Sequence, residues 1–218
     1  MMNRWDTLLH SSWLNTLPAG ASHTLLAQAR AVQLRAGALL HAKDDPCSGL
    51  YGIEKGVIEI SAVNQDGDHW VVTHLTPGAW FGEIAVLDGG VRTHDAHAMS
   101  DCTLALIDNP TIHTLSQHHP WLQHALVRLL CAHVRESFTA IDQFLLLSPT
   151  QRLARRLLQL HAQSQSGLVQ INQETLGKLV GLSRQSVNRL LAQWQQAGWI
   201  KRGYATLTVV DSEQLLRL

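Results

Sequence analysis

Residues 173–194, QETLGKLVGLSRQSVNRLLAQW, carry two short helical patterns around a single glycine, which commits this part of the chain to a tight helical reversal. Leu176, Leu179 and Val180 recur at i, i+3 and i+4, and Gly181 then supplies the backbone freedom that a sharp turn requires. Ser183 stands at the N-cap of the next helix, whose Val187, Leu190, Leu191 and Trp194 form a core-facing stripe. Arg184, Gln185, Asn188 and Arg189 project from the other side near the helix N-terminus, with Ser183 and Ser186 beside them. That end of the second helix meets base edges in helix-turn-helix docking. Arg offers two donors to guanine O6 and N7, and Gln or Asn pairs a donor and an acceptor with adenine N6 and N7. The alternative is a solvated polar face on an ordinary helical hairpin.

Charge supports the first reading. The 218-residue chain has a formal net charge of zero, but the balance is uneven along it. From Gln151 onward there are nine Lys and Arg against three Asp and Glu, a net +6, whereas the preceding part has eight against fourteen, a net −6. A basic C-terminal module binds phosphate by releasing counterions, and an acidic N-terminal part stays off the duplex. The length suits two modest domains. Cys47, Cys102 and Cys131 are far apart and form no CxxC pair, so no disulfide framework or cysteine-based metal site is expected. No apolar run reaches signal-peptide or membrane-span length, and a soluble cytoplasmic protein with no membrane partner is expected.

The texture changes along the chain. Short helical patterns at Trp13, Leu14 and Leu17, then at Leu25, Leu26 and Ala29, break between Pro18 and Gly20. From Val32 to Asp108, short alternating runs punctuated by Gly, Pro and Asp predict an all-β sandwich or barrel. Its clearest hairpin joins residues 56–63 to 70–75 through Asp66 and Gly67. Residues 120–147 predict one long helix, with Leu122, Leu126, Leu129, Leu130, Val134, Phe138, Ile141 and Leu145 near a/d or a/e spacing. A parallel pairing of this helix with its copy in a second subunit is expected; the alternative is packing within its own chain. Ser148 and Pro149 interrupt the pattern, and a further amphipathic helix from about Thr150 to His161 opens the C-terminal module. Residues 199–210 predict a small β wing in which Lys201 and Arg202 contact phosphates.

A second constellation lies upstream, in the run FGEIAVLDGGVRTHDA of residues 81–96. Gly82 permits close backbone approach, and a helical turn from Glu83 through Ile84 points N–H groups at an anion. Arg92, nine positions after Glu83, returns a guanidinium to the same place, completing a phosphate cradle. Glu83 accepts from a ligand hydroxyl such as a ribose 2′-OH, or else it pairs with Arg92 in a structural bridge that needs no ligand.

Both constellations, in this order with a long helix between them, resemble the Crp/Fnr family of bacterial transcription regulators. The resemblance implies an α+β chain: an N-terminal cyclic-nucleotide-binding-type β jelly roll over residues 10–118, a dimerisation helix over 119–147, and a C-terminal winged helix-turn-helix over 150–216. LVGLSRQSVNRLL resembles the family's recognition unit, placing Arg184, Gln185 and Arg189 at its three base-contacting positions. Gln185 replaces the Glu of the cyclic AMP receptor branch, which implies a different half-site with a preference for adenine. Gly82, Glu83, Arg92 and Thr93 resemble the family's phosphate-binding cassette, in which Glu holds the ribose hydroxyl while Arg and the next hydroxyl residue hold the cyclic phosphate. His94 stands where a small Ala is usual, narrowing the site or adding a titratable donor. Ser137 and Phe138 stand where the receptor branch has its adenine-contacting Thr and Ser, so half of that contact is missing.

The resemblance implies a non-enzymatic, homodimeric regulator that binds a palindromic site in double-stranded DNA and meets RNA polymerase. Its effector is a cyclic nucleotide, cyclic AMP or cyclic GMP, or the β domain is ligand-free or senses another effector; no cofactor is certain. Twelve of the thirteen histidines precede Pro149, and His74, His94, His97, His118, His119, His124 and His133 are candidate axial haem ligands, although none shows metal-ligand spacing on one element. The N-terminal cysteine cluster of the family's iron–sulfur sensors is missing. An enzymatic reading would need Glu83 with His94 or Asp95 as acid and base, residues that fit an anion cradle better. A third class is a nucleotide-responsive module whose head contacts protein instead of DNA.

Overall fold

The structure, a computed structural model, describes residues 4–63, 69–164 and 167–218. The chain forms two compact units, Met1–Arg135 and Glu136–Leu218. In chain order the first contains α1 (Asp6–Leu9), a 3₁₀ turn (Leu14–Thr16), α2 (Ala21–Ala27), β1 (Arg30–Leu34), β2 (Leu39–His41), β3 (Gly49–Lys55), β4 (Ile58–Val63), β5 (His69–Leu75), β6 (Trp80–Phe81), α3 (Glu83–Asp88), β7 (Asp95–Ala98), β8 (Cys102–Asp108) and α4 (Asn109–His118). The long helix α5 (Trp121–Leu146) begins in this unit and runs past the division. The expected hairpin strands are present, but its turn residues Asp66 and Gly67 lie outside the described residues.

The strands make two antiparallel four-stranded sheets, ordered β1-β8-β3-β6 and β2-β7-β4-β5. Chain crossings between the sheets give the expected jelly-roll architecture. Period-two alternation divides β8 between two cores: Leu104 and Leu106 join Tyr51, Ile53, Ile58 and Phe81, whereas Ala105 and Ile107 join a second cluster with Leu8, Trp13, Trp80, Leu122, Leu126 and Leu129. The second cluster extends the unit beyond residues 10–118, because α1 and the first half of α5 are part of it. Glu54 on β3 caps α1 by accepting from the backbone N–H groups of Thr7 and Leu8 at 2.9 and 3.1 Å. Trp13 donates to the Ala125 carbonyl at 2.9 Å, and its ring lies 5.1 Å from that of Trp80. A Cβ on Gly52 would stand 2.9 Å from the Trp80 ring, so this crossing of strand and indole needs glycine.

The second unit continues with α6 (Pro149–Gln163), β9 (Leu168–Gln170), α7 (Gln173–Val180), α8 (Arg184–Gln196), β10 (Ile200–Gly203), β11 (Thr206–Val209) and α9 (Ser212–Leu216). Pro149 starts α6 instead of separating it from its first turn: Ser148 and Gln151 form a reciprocal capping box, and a proline at the first helical position loses no hydrogen bond. The wing is three-stranded, in the order β10-β11-β9, and β9 had no period-two signal in its three residues. Leu153, Leu157, Leu176, Val187, Leu191, Trp194, Ile200 and Leu207 form the core of this unit.

Candidate functional site

The structure brings Gly82 and Arg92 together, and most of the arrangement is internal. Gly82 has φ +94°, and a Cβ there would collide with Arg92 Nη1. Arg92 is only 2 % exposed. Its guanidinium donates to the carbonyls of Gly82 at 3.3 Å and Gly49 at 2.6 Å and to Ser48 Oγ at 3.0 Å, and it lies 5.3 Å from the Tyr51 ring centroid. Three of the five N–H groups of an arginine are thereby used. Nε is buried and has no partner among the described residues, an arrangement that carries a desolvation cost until something accepts from it. Gly49 and Tyr51 on β3, and Ser48 just before it, lie more than forty residues upstream of Arg92 and had no sequence signal.

Glu83 is 3 % exposed, and its Oε1 receives His133 Nδ1 from α5 at 2.8 Å. The alternative bridge between Glu83 and Arg92 is not formed: among the described residues the ion-pair partner of Glu83 is His133. Fifty residues separate the two, so no local pattern announced the contact. Thr93 is exposed, and its Oγ1 shares a 3.0 Å hydrogen bond with His94 Nδ1. Burial pulls the His94 pKa below its ordinary value, helped by Lys43 and opposed by Asp95. Ile84 sits part-exposed on α3; Ser137 is exposed on α5, within the second unit. The acid–base set considered from sequence does not assemble, because Glu83 faces His133, His94 is on Thr93, and Asp95 accepts from the Lys43 backbone N–H.

Two histidine sites of the first unit, one single and one a group, were not apparent from the sequence. His41 packs beside Tyr51 and Phe81, with centroids 6.2 and 6.4 Å away. Burial, then the charge of Arg92, lowers its pKa from 6.5 to about 4. On the other sheet Glu59, a buried carboxylate, receives His74 Nε2 at 3.0 Å and His69 Nε2 at 3.5 Å, with His97 opposite it on β7. Among the described residues no set of three His, Cys, Asp or Glu could hold a metal ion.

In the second unit, Gly181 ends α7 at φ +67°, and Ser183 Oγ accepts from the Ser186 N–H at 3.1 Å to cap α8. Val187, Leu191 and Trp194 are buried, while Arg184, Gln185, Asn188 and Arg189 are exposed, so the two faces read from the sequence are present. Lys201 is exposed on β10. Arg202 is not a free wing cation: its Nη2 donates to Asn188 Oδ1 at 2.7 Å.

A β roll with a buried arginine at a glycine–glutamate turn, and a separate winged helix-turn-helix, together define a sensor-type transcription regulator. The description "cyclic nucleotide-binding domain" matches residues 31–119 and "Crp-like helix-turn-helix domain" matches residues 151–218. The chain is 30 % identical over 166 residues to the cyclic AMP receptor protein of Thermus thermophilus, covering 76 % of this chain and 77 % of that one. It is 28 % identical over 200 residues to a CRP-like cAMP-activated global transcriptional regulator of Mycobacterium tuberculosis, covering 88 % and 89 %. The fold matches FixK2 of Bradyrhizobium japonicum with a TM-score of 0.77 at 18 % identity, covering 87 % of this chain and 96 % of that chain. The chain belongs to the Crp/Fnr family of transcription regulators. Among the described residues no helix is long and apolar enough to cross a membrane.

Proposed function

We propose that the chain acts in the cytoplasm as a homodimer that binds an inverted repeat in double-stranded DNA, meets RNA polymerase there, and is controlled by a cyclic nucleotide in its β roll. In this reading residues 10–118 are the sensor, 119–147 the dimerisation helix and 150–216 the DNA-binding head. The observation that carries the effector assignment is Arg92, buried like Glu83, with a guanidinium Nε that has no partner among the described residues. A cyclic phosphate would accept from Arg92 and Thr93, and Glu83 would accept from the ribose hydroxyl, with Gly82 and Ile84 supplying the backbone turn. The relatives named as cAMP-activated support this choice of ligand class. Such a ligand acts by population shift, favouring the DNA-competent dimer in proportion to its differential affinity for the two states. Two-fold symmetry then sets the half-sites about 34 Å apart.

The alternative, a sensor domain that binds no nucleotide, is what the experiment must separate from this reading. Gly82, Gly49 and Ser48 already occupy three donors of Arg92, and His133 already occupies Glu83. Thermal unfolding of the purified protein with cyclic AMP, cyclic GMP and cyclic di-GMP separates the two. A midpoint rise of several degrees at millimolar nucleotide, lost in a folded Arg92→Ala variant, supports the proposal. An unchanged midpoint with every nucleotide would leave the ligand-free reading.

A further inference from the structure

From the contact between Asn188 and Arg202 we infer that Asn188 is a positioning residue: it fixes the wing arginine Arg202 for a DNA phosphate instead of reading a base. The inference rests on the head being a DNA-binding module. Side-chain geometry carries it. An Asn reads adenine by accepting with Oδ1 and donating with Nδ2 at the same time. Here Oδ1 is held by Arg202 Nη2 at 2.7 Å, so half of that pair is committed within the protein.

The strand register explains why the two cations of the wing behave differently. Lys201 pairs with Thr208 and Arg202 with Leu207 on the neighbouring strand, and successive residues of a strand point to opposite faces. Leu207 is buried in the core of the head, so Arg202 leaves the strand on the face turned toward the helices. Arg202 is half-buried there and reaches α8, whereas Lys201 is exposed on the other face. Asn188 lies one helical turn after Arg184, so the anchored guanidinium is placed next to the residues expected to meet DNA. A guanidinium held at one N–H keeps its other donors in a fixed plane, and pre-organisation of this kind reduces the rotamer entropy lost when a phosphate binds.

The salt dependence of binding by the full-length protein to a random-sequence duplex tests this, because it counts phosphate contacts. Arg202→Ala should lower the slope of log affinity against log salt by about one. Asn188→Ala removes no charge, yet it should lower the slope by a similar amount, and the double variant should fall no further. In affinity, the gap between wild type and either single variant then narrows about three- to fourfold between 50 and 200 mM salt. Lys201→Ala should lower the slope separately and add to either. An Asn188→Ala protein with a wild-type slope that instead relaxes one base pair in sequences selected from a random pool would return Asn188 to base reading and overturn the inference. So would an Arg202→Ala protein with an unchanged slope. A wild-type protein that binds no duplex at any salt concentration would sink the DNA-binding reading itself, which is a distinguishable failure.

Discussion

Arg92, buried, and His41, half-buried, solve the problem of burial in opposite ways. Arg92 is compensated by two carbonyls, a hydroxyl and the face of Tyr51. His41 can give up its charge, and burial together with the field of Arg92 makes it do so, down to a pKa of about 4. Folding thus depresses the His41 pKa from 6.5, and between pH 6.5 and about 4 the unfolded chain binds the extra proton. Stability therefore rises with pH across this window; the contribution is complete above pH 6.5 and is lost as pH falls toward 4. Asp108, held low by Thr111, acts only as pH falls below its ordinary 3.8 and stays out of the window. Urea denaturation at pH 7 and pH 4.5 should show that wild type loses roughly 1–2 kcal/mol more than His41→Phe, the shift being discounted for the solvent that reaches part of the ring. Equal losses would mean that the imidazole protonates freely in the folded protein.

At the scale of elements, the proposed function requires the N-terminus of α8 to be both a stable helix end and a surface open to DNA. Ser183 serves both needs, being an acceptor for the Ser186 N–H and small and uncharged. Ser183→Ala should cost about 1 kcal/mol of unfolding free energy in the head. Ser183→Asp keeps an acceptor at the cap and complements the helix dipole, so it should unfold like wild type, yet its carboxylate should weaken duplex binding by roughly tenfold or more. A Ser183→Asp protein with undiminished affinity would place the DNA elsewhere. Helix α8 was legible in the sequence because cap, glycine turn and apolar stripe are all local, and α5 was legible because a pattern of 3.6 persisted over seven turns. The jelly roll was legible as texture, though its sheet order was not, since pairing of β1 with β8 is a long-range choice. What stayed hidden is of one kind: Ser48 and Gly49 on Arg92, His133 on Glu83 and Arg202 on Asn188 each join residues that only the tertiary fold brings together.

For the whole molecule, the decisive surface is the one that α5 leaves open. Its first half buries Leu122, Ala125, Leu126 and Leu129 in the sensor core, so part of the predicted stripe is satisfied within the chain. Its later members are not: Val134 and Ile141 are 42 and 51 % exposed and Phe138 and Leu145 62 and 73 %, and Val127, outside the predicted stripe, precedes Val134 by seven residues at 45 %. Cys131 is exposed and continues the second row one heptad before Phe138. Two rows at this spacing are the a and d positions of a two-stranded seam, and such a surface is expected to be covered by a second copy. Phe138→Glu places a charge at the seam and should yield a monomer in sedimentation velocity. Each head would then bind its half-site alone, losing on the order of 10²–10⁴ in affinity for an inverted repeat. The cysteine offers a test of direction as well as association. In a parallel, in-register pair the two Cys131 thiols face each other across the seam, so mild oxidation should give a covalent dimer that reducing agent dissolves and Cys131→Ser abolishes. A wild-type protein that sediments as a dimer but does not crosslink through Cys131 would rule out this register, and with it the symmetric presentation of two recognition helices to adjacent major grooves.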